Sequence, residues 1–364
     1  MKKFFALVLA LTMALSLVAC GAKKEEAPAA SAPSTSAPST STPSTSAPAK
    51  TEKPADPLVL KLCCSETATS VLGKNIQWVI DEFNAYADGA VVIEFYPDNQ
   101  LGSLDDLEEQ VMSGAPLLVS DGAGNLGKFA TKLGILGVPY ILSGLYDYLY
   151  APETEWWAEN VQPDLDAANI KLLSFQSNGY RHFIGSKPAK TVEDIKSYVW
   201  RMGPNPQLQG FVSIMGGSPT TSTWSDNYTL IQAGTIDGCE AAIDLLWTSS
   251  LYEVCDYLTL TGHFTTPSSI FCNQDIWALL SADQQEKLLD LFEQMAINVA
   301  DEMLASEADF IQQFVDAGTT VIQPEDIAID EFKTYMPKLC ESLGYDAAEV
   351  EEALNQIAAI AATK

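Results

Sequence analysis

The chain has 364 residues, 47% of them hydrophobic and 19% charged, a globular composition that excludes a disordered polymer or a collagen. Its 20 Lys+Arg stand against 48 Asp+Glu, a formal net charge of −28, so it lacks the basic surplus that displaces counterions from nucleic acid, and no nucleic-acid partner is expected. With His182 and His263 as its only histidines, it has no multi-histidine metal centre, and a histidine-dependent nucleophile would have to use one of those two.

Lys2 and Lys3 precede an apolar run from Phe4 to Leu15, a charged start followed by a stretch too short to span a bilayer comfortably. The run ends at Leu17-Val18-Ala19-Cys20-Gly21, which resembles a bacterial lipobox. Residues 1–19 then read as a signal peptide, and Cys20 as the site of lipidation and membrane attachment. Cleavage would leave 18 basic against 48 acidic residues, a charge of −30. Residues 20–56 form a Pro/Ser/Thr/Ala tract without apolar periodicity, a composition that cannot bury enough surface to fold. It reads as a tether with a reach on the order of 100 Å if fully extended in polyproline form.

Residues 57–364, 308 in all, exceed one average domain and suit two lobes, and strand and helix signals alternate along them, which points to α/β. Leu58–Cys64 reads as a buried strand and Ser70–Ala87 as a helix, with Leu72, Ile76, Val79, Ile80 and Phe83 on one stripe. Val91–Tyr96 is a second strand. Ser103 caps a helix that Asp106 supports and Gly114 closes. Leu117–Ser120, Ile170–Gln176 and Tyr198–Met202 are further strands, and Thr191 with Asp194 starts a short helix before the last of them. Ser281 and Gln284 form a capping box for a long helix that carries Leu288, Phe292, Met295, Val299 and Met303 and runs towards Gly318. Asp346–Ala361 is a terminal helix. The expected division puts about 57–177 and 270–317 in lobe I, and about 178–269 and 318–364 in lobe II.

Six cysteines follow Cys20: Cys63, Cys64, Cys239, Cys255, Cys272 and Cys340. None has a metal-finger spacing, and several lie in apolar strand-like runs, where a free thiol acts as a small hydrophobe. They are read as mostly free and buried, with disulfides as the alternative. No metal ion or cofactor is expected.

Four segments carry a resemblance. Phe95-Tyr-Pro-Asp-Asn-Gln-Leu-Gly-Ser103 precedes Glu-Glu-Gln-Val-Met-Ser-Gly114. Gly179-Tyr-Arg-His-Phe183 is followed by Lys187-Pro, Val192-Glu-Asp-Ile-Lys196 and Val199-Trp-Arg201. Trp224-Ser-Asp-Asn-Tyr-Thr-Leu-Ile-Gln-Ala-Gly-Thr-Ile-Asp-Gly-Cys-Glu240 is the most specific, and Tyr252-Glu-Val-Cys-Asp-Tyr-Leu-Thr-Leu-Thr-Gly-His263 is the fourth. In this order, from about residue 58 to 335, they are similar to the DctP-type solute-binding proteins of tripartite ATP-independent periplasmic (TRAP) transporters. The resemblance implies a two-lobe, periplasmic-binding-protein-like α/β fold with crossing strands and a long helix along both lobes. It implies a small organic acid as ligand, small and large membrane subunits as partners, and no catalysis.

Arg201 matches the arginine that grips the ligand carboxylate in that family. It follows a strand and precedes Gly203-Pro204, and its planar fork can give a carboxylate two parallel hydrogen bonds. Arg181 matches a second arginine that often reaches the cleft, with an interlobe salt bridge as its other reading. Trp224 is expected either to wall the pocket or to sit in the core. Asn205 is expected to bond a ligand oxygen or to shape a turn. Asp121, Asn125 and Glu66 follow strands, and ligands of α/β sheets favour the carboxyl ends of strands. The family usually has Asn-Pro after the segment ending at Glu240. Ala241-Ala242 stands here, which points away from sugar acids and four-carbon dicarboxylates.

Three rival readings compete with this one: a solute-binding lipoprotein of an ATP-driven importer, a tethered sensor, and a hydrolase using paired carboxylates. The chain has no Gly-x-Ser-x-Gly elbow, no His-Glu-x-x-His and no phosphate loop to support an enzyme.

Overall fold

The computed structural model describes residues 56–364 apart from Ser143 and Pro204. The signal segment, Cys20 and the tether up to residue 55 lie outside the described residues. Among the described residues ten strands are formed, in chain order β1 (Leu58–Cys63), β2 (Val91–Tyr96), β3 (Leu117–Gly122), β4 (Ile170–Ser177), β5 (Arg181–Gly185), β6 (Trp200–Arg201), β7 (Gly238–Ala242), β8 (Tyr257–Phe264), β9 (Pro267–Asn273) and β10 (Thr320–Ile322). They make two five-stranded sheets, ordered β2-β1-β3-β9-β4 and β10-β8-β5-β7-β6. In the first, β1 runs parallel to β2 and β3, while β9 runs antiparallel to β3 and β4. In the second, β5 is antiparallel to β7 and β8, while β6 follows β7 and β10 follows β8 in parallel.

The chain passes between the sheets from β4 to β5 and returns from β8 to β9. The two crossings are bonded side by side, the Asn178 amide donating to the Thr266 carbonyl at 3.0 Å. At Gly179 the backbone has φ +91°, and a Cβ there would stand 3.3 Å from Met303 Sδ, so this crossing needs glycine.

Local signals explain most elements. Ser70 Oγ accepts from Gly73 N at 3.0 Å and starts helix Val71–Ala87, whose expected apolar stripe is buried. Ser103 caps Leu104–Met112, and a Thr191–Asp194 capping box starts Val192–Ser197. The Ser281–Gln284 capping box opens a 35-residue helix, Ala282–Asp316, about 50 Å long. Its first half buries Leu288, Phe292, Met295 and Val299 with the first sheet and helix Val71–Ala87, and Phe314 near its end belongs to the core of the second sheet. The long helix therefore ties both sheets together, as expected.

Two expectations need correction. Of Tyr198–Met202, only Trp200 and Arg201 pair with β7, because Tyr198 still caps the preceding helix and the Met202 amide turns to the Thr220 carbonyl. Residues 318–364 do not all join the second lobe. β10 does, but the terminal helix Ala347–Ala361 packs on helices Asp147–Tyr150 and Glu155–Asn160, which follow the first sheet's β3. Its apolar face, Val350, Ala353 and Ile357, shares a core with Trp156, Trp157 and Leu165. Gln356 Oε1 also accepts the Trp156 amide at 2.7 Å. All six described cysteines are buried and free.

Candidate functional site

In the first sheet β1 and β3 run parallel, so their carboxyl ends lie together and place Glu66, Asp121 and Asn125 at one rim. In the second sheet β6 and β7 run parallel and β5 starts beside the end of β7, Arg181 pairing with Ala242. Arg181, Arg201 and Asp244 are thereby gathered at one end of that sheet. The two ends approach each other. A Cβ added to Gly124, just beyond β3, would come 2.8 Å from Asn205 Nδ2 of the second sheet's side.

Arg201 is 6% exposed. Its Nε and Nη2 donate to the Ser222 carbonyl at 3.3 and 2.8 Å, and its guanidinium lies over the Trp224 ring, 5.4 Å from the centroid. Trp224 is half-buried and held by Nε1–H donating to Ser249 Oγ at 3.0 Å. Among the described residues no carboxylate lies within 4.0 Å of Arg201. Burial lowers its pKa against the opposing pull of Glu240, yet a guanidinium stays protonated at physiological pH. The site thus contains a desolvated, oriented cation with no bonded counter-anion. Such an arrangement is suited to an external carboxylate.

Arg181 is differently placed. Its Nε and Nη2 grip Glu240 at 2.5 and 2.8 Å in a two-pronged bond, and Nη2 also reaches the Glu240 carbonyl at 3.1 Å. Arg181 on β5 and Glu240 on β7 are neighbours within one sheet, so the ion pair is internal to that sheet rather than interlobe. Its fork is occupied by Glu240, which leaves it a supporting charge behind Arg201. Burial pushes the Glu240 carboxyl up, but Arg181 and His263 outweigh this and hold it down at about 2. His263, fully buried, keeps its Nε2 3.4 Å from Glu240 and its Nδ1 2.8 Å from Thr261 Oγ1. Burial lowers its pKa, so it stands neutral at physiological pH.

Asp121 and Asn125 are brought together, but turned towards each other. Asn125 Nδ2 donates to both Asp121 oxygens at 2.9 and 3.0 Å, and the Gly122 amide donates to Oδ1 at 2.6 Å. Asp121 is buried, and burial with the neighbouring Glu108 carboxyl raises its pKa to about 7. Asn205 Oδ1 caps helix Pro206–Ile214, accepting from Gln207 and Leu208 amides at 2.8 and 3.1 Å. Its turn-shaping role is therefore present, and its Nδ2 faces Gly124. Glu66 is half-buried, and no hydrogen bond reaches its shielded Oε2.

Sequence reasoning missed Glu240, Asp244 and Glu108 as members of this network. An acid inside the apolar strand Gly238–Ala242 was the available signal for Glu240, since a buried carboxylate there needs a cation across the ladder. Among the described residues no cluster of ligating side chains could hold a metal ion, and no helix is long and apolar enough to cross a membrane.

The chain matches the family model described as bacterial extracellular solute-binding protein, family 7 (DctP), over residues 65–345. It is 27% identical over 223 residues to the ectoine/5-hydroxyectoine-binding periplasmic protein UehA of Ruegeria pomeroyi, covering 61% of this chain and 65% of that protein. It is 22% identical over 281 residues to the sialic acid-binding periplasmic protein SiaP of Vibrio cholerae, covering 77% of this chain and 86% of that protein. Its fold matches a TRAP periplasmic solute-binding protein of Fusobacterium nucleatum solved with sn-glycerol-3-phosphate, with TM-score 0.75 and 21% identity over 84% of this chain and 99% of that one. With the family model covering most of the folded residues, the chain belongs to the family 7 (DctP) bacterial extracellular solute-binding proteins.

Proposed function

We propose that the protein captures a small organic acid between its two sheets and hands it to the small and large membrane subunits of a TRAP transporter, binding without catalysis. One observation carries this reading: Arg201 is a nearly fully buried guanidinium, fixed by the Ser222 carbonyl and Trp224, with no bonded carboxylate. A buried cation without an anion is costly, and a ligand carboxylate relieves that cost. Trp224 offers a flat apolar wall beside it for a carbon skeleton. The relatives named for ectoine and sialic acid, both carboxylates, support the same ligand class. In this reading Cys20 carries the lipid, and residues 20–56 hold the folded part off the outer face of the membrane.

Thermal-shift screening against a library of organic acids tests the reading. An acid at 100 times its dissociation constant stabilises by about 2.7 kcal/mol, so a hit is visible as a raised melting temperature. No hit among acids of varied size and charge would contradict it. For the anchor, radiolabelled palmitate should enter the wild-type protein and not Cys20→Ser. Equal release of both into the medium would argue against lipidation.

A further inference from the structure

The long helix Ala282–Asp316 has a second apolar stripe besides its buried one. Ile297, Leu304 and Ile311 recur every seven residues, and Ala308 and Val315 stand four residues beyond Leu304 and Ile311, so all lie along one side. Leu304 is 42% and Val315 47% exposed, Ala308 is exposed, and Ile297 and Ile311 are half-buried. Towards the start of the helix the stripe leads into a groove of about 510 Å³, where Leu289, Glu293 and Ile297 of the helix face Leu149, Tyr150 and Leu172. Groove and stripe together run from Leu289 to Val315, about 40 Å along the helix. The charges beside this face have one sign. From Leu288 to Phe332 the chain has no Lys or Arg. Asp290, Glu293 and Asp301 stand three, four or seven residues from members of the stripe, and so on the same side. Within the groove Lys364 pairs with Glu153 at 3.2 Å, which leaves Glu293 as its unpaired charge among the described residues.

A stripe at these spacings is a seam for packing another helix, and a contiguous exposed apolar face marks an interaction surface. The charges decide what covers it. A second copy of this chain would set like charges against each other, and an anionic lipid surface would meet the same repulsion. Cations at the borders of the partner remove it. We propose that this face docks an amphipathic helix of a partner protein, apolar along one side and carrying Lys or Arg at the borders of that side. Its apolar side chains enter the groove and cover Leu304 and Val315, while its cations meet Asp290, Glu293 and Asp301.

The test uses the full chain with Cys20→Ser, so that no lipid interferes, and three labelled peptides of about three heptads each. The first has Leu at the seam positions and Lys at their borders. The second has the same composition scrambled, with Leu all round the helix. The third replaces the Lys of the first by Glu. Fluorescence anisotropy at physiological salt should show the first peptide binding about tenfold or more tightly than either of the others. Leu304→Ser with Val315→Ser should cut that binding about tenfold, and Glu293→Gln should weaken it, each with an unchanged melt because these side chains are exposed. Equal binding of the scrambled peptide would reduce the effect to general attraction by an acidic chain and overturn the proposal. Undiminished binding in the folded Leu304→Ser, Val315→Ser variant also overturns it. Sedimentation of the protein alone should show a monomer. A dimer that this variant breaks would make a second copy the occupant, and binding to phosphatidylglycerol vesicles that the variant loses would make it a membrane, and either result overturns the partner helix.

Discussion

Glu240 has no exposed surface, and its charge persists there because Arg181 supplies two prongs and His263 lies behind it. Removing one partner of such a pair strands the other, at a cost of about 3–5 kcal/mol. Glu240→Gln should therefore lower the melting temperature substantially, whereas a change of less than about 1 kcal/mol would show that the pair is dispensable. The pH dependence has a definite sign. The Glu240 carboxyl ordinarily titrates at 4.5 and is held at about 2 in the fold, so its contribution is present above 4.5 and lost as pH falls towards 2. Glu240→Gln should remove that loss from an acid-unfolding profile. Asp121 runs the other way: raised from 3.8 to about 7, it contributes fully below 3.8 and loses that contribution as pH rises through 7. Asp121→Asn should flatten the decline in stability across that window, and an unchanged slope would count against it. Residue positions were legible in part. Arg201 was expected at a strand end, and it ends β6. The Arg181 fork was not assignable, because its partner lies 59 positions away across a ladder whose register the sequence does not reveal.

The elements were legible where the signal is local. Ser70, Thr191 and Ser281 announce helices by side-chain caps, and each cap forms. Docking of an element is a tertiary matter. The terminal helix has an apolar stripe that fits any apolar surface, and nothing within Ala347–Ala361 specifies Trp156 and Trp157 as its neighbours. The crossing at Thr266 is strained in a way no pattern shows: a β-branched residue at φ 40°, with a buried Oγ1 that lacks a partner. Thr266→Gly removes both penalties at the entropic cost of a glycine, so it should stabilise by about 1 kcal/mol, roughly 2 °C in melting temperature. A lower melting temperature would show that the side chain is needed there. Asn205→Ala should act oppositely, losing about 1 kcal/mol through the cap of Pro206–Ile214. An unchanged melt would mean that the cap carries no stability.

At the scale of the molecule, a net charge of −28 opposes an anionic ligand, but salt limits that repulsion to about 8 Å, so under the proposed function capture is a local matter for Arg201. The alternation of strand and helix signals pointed to α/β, and the length of the folded part to two lobes. The crossing of strands between lobes came from the family resemblance, since neither crossing has a periodicity of its own. With Glu66, Asp121 and Gly124 on one side and Arg201, Asp244 and Asn205 on the other, ligand binding should draw the sheets together about the two crossings. Small-angle scattering on the wild type and Arg201→Lys, each with and without the acid that best raises the wild-type melting temperature, tests this most directly. Lysine keeps the charge but loses the planar fork. The account predicts a smaller radius of gyration for the liganded wild type and no change for Arg201→Lys at the same ligand concentration. An equal contraction in both proteins would contradict the arginine clamp, and no contraction in a wild type proven to bind would contradict closure.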